Sequence, residues 1–353
     1  MTLLRVITGG LRYHWRIHVA VALGVLAATA VLTGALAVGD SVRYSLRRLA
    51  LDRLGRIDEV LVVDRFLRQE LAGELASQPK FKEHFASATP AILFPSATAE
   101  SAGEKRRLAA NVQVLGVEPA FWDLSVGHSR PKQSPADGEV ILNAPLASEL
   151  NVKVGDSLVL RFGKADQVPA DSPLGRRSGQ VASLPELKIS EIIPAEGLGR
   201  FSLQPSQIAP RSAFVSLAAM QGALDVAGKA NTIFVGGLNA DVPAPPAASG
   251  ELAQLLTPRL TDDGLALKHV KMTFGEGQAA RTIYEYYSLT SDRMLLDTAT
   301  ERAVQRAFAA ERPQPLLTYL ANSIQKLTDG AADDKARIPY STITAIPRRA
   351  GRL

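Results

Sequence analysis

Ile17 to Val38 reads IHVAVALGVLAATAVLTGALAV, 22 residues in which His18, at the edge, is the one ionisable group. As an α-helix this stretch reaches about 33 Å, enough for a hydrocarbon layer of about 30 Å. Just ahead of it, Arg12, Tyr13, His14, Trp15 and Arg16 form a basic, aromatic collar suited to the headgroup layer. A membrane-spanning helix is therefore expected over 17–38, with Arg12, Tyr13, Trp15 and Arg16 at the membrane interface. A cleaved signal peptide is the rival reading, with Ala35-Leu36-Ala37 as its small-x-small site. The apolar run is well beyond the roughly 7–15 residues usual in a signal core. Asp40 to Leu54 also continues without a break, with Val42, Leu46, Leu49 and Leu54 near helical spacing. The sequence thus favours a retained anchor that runs on into a helical stalk over 39–56.

Upstream, residues 1–16 form an amphipathic juxtamembrane segment in which Leu4, Ile7 and Leu11 share one face of a short helix. Within the span, Ala20, Gly24 and Ala28 recur at every fourth position, and Ala30 with Gly34 repeats the step. Small residues at this spacing let a second transmembrane helix approach closely; an alanine-rich run also gives such spacings by chance. Arg5, Arg12 and Arg16 precede the span and Arg43, Arg47, Arg48 and Arg53 follow it, so the positive-inside count is close to a tie. The short leading segment, and a bulk that reads as an exported domain, favour a cytoplasmic N-terminus.

The whole chain has 353 residues, 46% hydrophobic, with a net charge of +5. Such a length and composition suit one large or two modest folded domains and argue against disorder or a multipass bundle. The basicity is local. Residues 1–56 hold eight arginines, no lysine and two acids, whereas the rest carries 32 basic and 33 acidic groups. A nucleic-acid binder needs its basic stripe on the folded domain, so the distribution reads as membrane anchoring and no nucleic-acid partner is expected. With no cysteine, disulfides, thiolate metal sites and a cysteine nucleophile are excluded.

From Ile57 to Ile346, short strand and helix signals alternate, which predicts an α+β (mixed) domain. Strands are expected at 59–64, 91–97, 111–117, 139–142, 158–162, 187–193, 213–216, 233–235, 266–273 and 284–289. Helices are expected at 67–77, at 144–150 with Asn143 as the cap, at 217–224, 250–256 and 299–310. Residues 163–185 and 242–248, rich in proline and glycine, read as loops. A second lobe is expected to begin near Ala266, and 347–353 is a basic tail.

Chemistry is sparse. Outside the collar only His84, His128 and His269 remain, widely spaced and without HExxH, so zinc hydrolysis and a histidine-based triad lack support and solvated histidines are expected. Gly222 to Ala230 falls short of a phosphate loop, with five residues between the glycines of the G-x-x-x-x-G-K pattern and Ala230 in place of its hydroxyl; a helix ending at Gly228 explains it better. Asp262-Asp263 and Asp333-Asp334 read as solvated turns. Tyr284, Tyr286 and Tyr287 are a possible partner patch, although strand alternation commonly half-buries such residues.

Several segments in order give the chain a family resemblance. GDSVRYSLRRLALDRLGRID (Gly39–Asp58) follows the anchor; VLGVEPAFWDL (Val114–Leu124) is like a V-x-G-V-x-P-x-F stretch; EVILNAPLASELNVKVGDSLVLR (Glu139–Arg161) is like L-A-x-x-L-x-V-x-x-G-D-x-L. GLGRFSLQPSQ (Gly197–Gln207), YYSLTSDRMLL (Tyr286–Leu296), LLTYLANSI (Leu316–Ile324) and IPYSTITAI (Ile338–Ile346) follow. Together they resemble permease subunits of ABC transporters of the FtsX-like and MacB-like type. The resemblance implies a two-lobed extracytoplasmic α/β domain, like the MacB-type periplasmic core domain, held on the bacterial inner membrane. It implies a separate ABC ATP-binding subunit, further permease transmembrane helices, a homodimer or hetero-oligomer, and a lipid, lipoprotein or peptide substrate. It implies no enzymatic chemistry, cofactor or metal in this chain. Such permeases continue into further transmembrane helices, and no stretch after Val38 offers 18 apolar residues, so the sequence reads as a permease portion that stops before them. The alternative is an anchored envelope binding or scaffold protein without an ATPase partner; an anchored hydrolase is a more distant one.

Overall fold

Two helices open the chain in the computed structural model, α1 (Leu3–Tyr13) and α2 (Trp15–Leu54). The structure describes residues 3–103, 106–127, 129–163, 181–204, 206, 208–239, 245–274, 281–291, 296, 298–328 and 331–345. It divides into two units, Met1–Asp292 and Arg293–Leu353. α2 is 40 residues long with none buried, so the span and stalk are one continuous rod of about 60 Å. Among the described residues it is the one helix long and apolar enough to cross a membrane.

The body follows, in the order β1 (Ile57–Arg68), α3 (Glu70–Ser77), β2 (Phe85–Ser101), β3 (Leu108–Val117), β4 (Glu139–Asn143), α4 (Ala144–Leu150), β5 (Ser157–Gly163), β6 (Val181–Ile193), β7 (Arg211–Ser216), α5 (Leu217–Leu224), β8 (Lys229–Gly237) and α6 (Pro246–Leu255). The strands lie in the order β1-β8-β2-β3-β7-β4-β6-β5, and β5 pairs again with the end of β2. Six strands therefore close into a ring, while β8 and β1 leave it along the first half of β2. The chain is thus a mixed α/β protein with one long apolar N-terminal helix and a large sheet.

Closure depends on β2 changing partners. Its register with β3 shifts between Phe94 and Ala97, where Pro95 supplies no N–H to a ladder. Beyond Ala91, which still pairs with Thr232, the Asn231 side chain replaces the departing strand. Its Oδ1 accepts the Leu93 N–H at 2.8 Å and its Nδ2 donates to the Leu93 carbonyl at 3.0 Å. The end of β2 is then free to meet β5.

Alternation sorts the ring's residues into two cores. Val112, Val114, Val140, Leu142, Leu158, Leu160, Ala213 and Val215 pack with Leu146 and Leu150 of α4 and with Leu217 and Met220 of α5. Gly116 is needed there, since a Cβ would stand 2.7 Å from Met220 Sδ. The intervening residues Leu115, Ile141 and Phe214 face a second core with Phe121, Trp122, Leu124, Leu198 and Phe201. A third core joins Leu71 and Leu75 of α3 to Ile233, Val235 and Leu252.

Among the described residues, β9 (Leu265–Phe274) and β10 (Arg281–Ser291) pair only with each other. The second unit holds α7 (Thr298–Ala307) and a hairpin of β11 (Leu317–Thr328) and β12 (Ala331–Ala345).

Some expectations need correction. The helix expected from Leu67 begins at Glu70, because Leu67 and Arg68 stay in β1 opposite Ala230 and Lys229. The loop expected over 163–185 loses its last residues to β6; Pro185 falls where the β5–β6 register shifts, which is where a sheet tolerates proline. The rest, 164–180, lies outside the described residues. Pro246 to Ala248, expected in a loop, form the first turn of α6, with Pro at a position that suits it; 242–244 lie outside the description. α5 ends at Leu224 on a left-handed Asp225, not at Gly228. Asp333 and Asp334 lie in β12 and not in a turn. His128 and the tail from 346 onward lie outside the described residues.

Candidate functional site

The foot of α2 enters the body at its second core. Arg53 Nη1 donates to the carbonyls of Gln204 and Ser206 at 3.3 and 3.4 Å. The Gly197 N–H donates to Asp52 Oδ2 at 3.4 Å. Gly55 ends the helix at φ +60°, where a Cβ would also collide with the Leu124 carbonyl. The Arg56 N–H then donates to that Leu124 carbonyl at 2.9 Å, and the Gly237 N–H donates to the Arg56 carbonyl at 2.9 Å. Leu54 packs on the core, in which the Phe121, Trp122, Phe214 and Phe234 rings stand 5.0–6.3 Å apart.

Asn143 lies behind this joint. Its Oδ1 accepts the N–H of Leu146 at 3.2 Å and of Ser212 at 3.0 Å; its Nδ2 donates to the carbonyls of Gly199 and Pro210 at 2.9 and 2.6 Å. One fully buried amide thus caps α4, pins β7 and holds the Gly197–Arg200 turn that receives the helix. Residues of 39–58, 114–124, 139–161 and 197–204, distant in sequence, thus meet around the foot of α2.

Of the residues singled out in the sequence, Arg12 and Tyr13 end α1, while Trp15 and Arg16 start α2. Tyr13 and Trp15 are exposed, and the Arg16 guanidinium lies 5.7 Å from the Trp15 ring centre. Ala20, Gly24, Ala28, Ala30 and Gly34 are all exposed on α2; at about 100° per residue they share a face roughly 160° wide. Tyr284, Tyr286 and Tyr287 are exposed on β10. Tyr284 and Tyr286 stand 5.8 Å apart, while Tyr287 stacks on His269 at 4.9 Å. His269 and Lys271 both engage Glu285, at 2.8 and 3.1 Å, and hold its carboxyl below the usual range, Lys271 foremost. The sequence thus puts Tyr287 in one group with its neighbours, and the pleat separates it from them.

Asp262 corrects a second expectation. It is 2% exposed, not solvated. Its carboxylate accepts the N–H groups of Arg68 and Arg259 at 2.9 and 2.8 Å and the Arg68 Nη2 at 3.0 Å. Burial alone would raise its pKa, but these donors together lower it. Arg68 also holds Glu74 at 2.8 Å, and Arg65 donates to the Asp262 carbonyl at 2.8 Å. This cluster clasps the turn that leads into β9.

Among the described residues no three His, Asp or Glu side chains gather as a metal site. A cleft of about 440 Å³ is lined by Gln69, Glu70, Gly73, Ala88, Pro90, Glu118 and Gly228. Behind its wall Gln221 donates to Gln69 at 2.8 Å, and Gln69 donates to Glu118. Sequence reasoning gave no signal for this chain of amides.

No family model matches the sequence, and no curated protein matches it. Among solved structures, the chain is similar to the periplasmic region of MacB from Actinobacillus actinomycetemcomitans, with 14% identity over 57% of this chain and 84% of that one and a TM-score of 0.35. It is also similar to the extracellular domain of the noncanonic ABC-type transporter YknZ from Gram-positive bacteria, with 13% identity, 64% and 98% coverage and a TM-score of 0.34. At these scores the likeness carries neither a function nor a site residue across to this chain.

Proposed function

We propose that this chain is the anchored, extracytoplasmic portion of a permease subunit of an ABC-type transporter or mechanotransmission complex. In this reading α2 crosses the bacterial inner membrane from a cytoplasmic N-terminus, and the collar Arg12, Tyr13, Trp15 and Arg16 sits at its interface. The small face of Ala20, Gly24, Ala28, Ala30 and Gly34 packs on other transmembrane helices. A separate ATP-binding subunit supplies the energy, and the body handles a lipid, lipoprotein or peptide or relays motion to one. Homodimers or hetero-oligomers follow from the shared helix packing.

The observation that carries the proposal is the bonded joint between α2 and the body. α2 reaches the body without a flexible linker, and Asp52, Arg53 and Arg56 each hydrogen-bond to backbone of the body. A tethered binding protein needs a leash, whereas a rod locked into its load transmits displacement. Four of the segments behind the sequence resemblance, 39–58, 114–124, 139–161 and 197–207, supply residues to the joint.

The test is purification of the tagged full chain from its native membranes, followed by mass spectrometry. Recovery of a stoichiometric ABC ATP-binding subunit is expected. Its reproducible absence, with the chain intact and folded, favours the anchored scaffold.

A further inference from the structure

Two basic, aromatic clusters bracket the apolar part of α2. Arg12, Tyr13, Trp15 and Arg16 precede it. Arg43, Tyr44, Arg47 and Arg48 follow it, all exposed, on a helix that runs unbroken to Leu54. Asp40 is the one acid between Val38 and Leu51, and none of these three arginines pairs with a carboxylate among the described residues. Positive charge is therefore left over just past the span.

Height and rotation both decide what this charge meets. Arg43 stands about 7.5 Å and Arg48 about 15 Å beyond Val38 along the axis. A headgroup layer adds about 6 Å to each side of the hydrocarbon core. Helical side chains lean toward the N-terminus, which here means back toward the bilayer, and a guanidinium on its long stem reaches further. At about 100° per residue, Arg43, Tyr44, Arg47 and Arg48 cover a face roughly 140° wide. Its midline lies about 150° from that of the small face built on Gly24 and Ala28. Val42, Leu46 and Leu49 continue the small face instead. The cations thus point away from the side suited to helix packing.

We infer that Arg43, Tyr44, Arg47 and Arg48 form a second collar, which binds anionic phospholipid headgroups on the body's side of the membrane. A zwitterionic headgroup brings its own ammonium and leaves the surplus unanswered, whereas an anionic one neutralises it. An acidic protein would have to enter the headgroup layer on the lipid-facing side of the helix to compete. Held at two levels, and bonded to the body at its foot, the rod sets the height of the body above the bilayer. The inference rests on the reading of α2 as a membrane span, extends it to the class of lipid, and holds for either orientation.

The experiment uses the full chain in phosphatidylcholine nanodiscs with a minority of phosphatidylglycerol. The photocrosslinker p-benzoylphenylalanine replaces Tyr44 in one protein and Val25, in the span, in another, and mass spectrometry identifies the adducts. At position 44, phosphatidylglycerol adducts are expected about fivefold above that lipid's share of the bilayer. The combined Arg43→Gln, Arg47→Gln and Arg48→Gln variant should bring them down to that share. So should salt of about 1 M with the arginines intact, a readout that does not depend on how the variant folds. Circular dichroism checks the fold of each protein. Adducts at the bulk share in the parent, or an enrichment that survives both treatments, overturn the collar. Crosslinking at position 44 to a protein and not to lipid, in native membranes, overturns it in favour of an acidic partner. In each of these cases lipid adducts at position 25 leave the span standing; lipid adducts at neither position overturn the span and the collar together.

Discussion

Arg68 and Asp262 lie 194 positions apart and form the ion pair that fastens the start of the β9–β10 ribbon to the edge of the sheet. Asp262 accepts from two backbone N–H groups as well as from the guanidinium. A buried carboxylate held this way fixes the direction in which the chain leaves the body.

Replacing Asp262 with Asn should therefore destabilise the body by roughly 2–4 kcal/mol at neutral pH, since Arg68 is left without its buried partner. The pH dependence has a definite sign. The folded-state pKa is depressed below the ordinary 3.8, so the stabilisation is complete above that value and is lost as pH falls through the folded one. Denaturant unfolding of the two proteins should show a gap that is constant near neutrality and narrows below pH 3.8. A gap that widens in acid contradicts the assignment.

Asn143 is tested by two substitutions. Asn143→Ala strands two N–H donors and two carbonyls in the core and should cost about 3 kcal/mol or more. Asn143→Asp keeps the acceptor but turns a carboxylate oxygen toward the carbonyls of Gly199 and Pro210. It should be the worse of the two at neutral pH and recover part of the loss in acid, as the carboxyl protonates. Thermal unfolding across pH resolves this.

The joint makes a mechanical prediction. Gly55→Ala forces a side chain into left-handed backbone and onto the Leu124 carbonyl, at a cost of roughly 1–3 kcal/mol. Arg53→Ala removes the bonds to Gln204 and Ser206 and should loosen the rod without unfolding the body. Spin labels at Tyr44→Cys and Glu186→Cys, in a chain with no native cysteine, report it. The distance distribution should be narrow in the parent and broad in either variant; a parent distribution as broad as theirs refutes a rigid joint.

Local signals made part of this architecture legible from sequence. Asn143 ahead of Ala-Pro-Leu announced α4 with its cap, and the bond to the Leu146 N–H is the local event that a propensity argument can foresee. The bonds from the same side chain to Gly199, Pro210 and Ser212 are tertiary and had no local trace. Leu67 shows why boundaries slipped: its spacing to Leu71 and Leu75 fits a helix, but pairing with Ala230 on β8 holds it in the strand. Asp262 sits in a turn-like string, and its burial depends on Arg68, 194 positions earlier in the chain, as well as on the nearby Arg259 N–H. Closure of the six-strand ring was equally hidden, because it rests on Pro95 and Asn231 acting on the same strand from different parts of the chain.

The claim on which the functional reading depends is that α2 stays in the membrane with the body outside. Because the chain lacks cysteine, single cysteines at Gly9 and at Glu186 can be labelled in intact cells with a membrane-impermeant maleimide. The account predicts labelling at Glu186→Cys in intact cells, labelling at Gly9→Cys only after permeabilisation, and full-length protein in the membrane fraction for both. Labelling in the reverse order, or a processed body recovered in the soluble fraction, contradicts it.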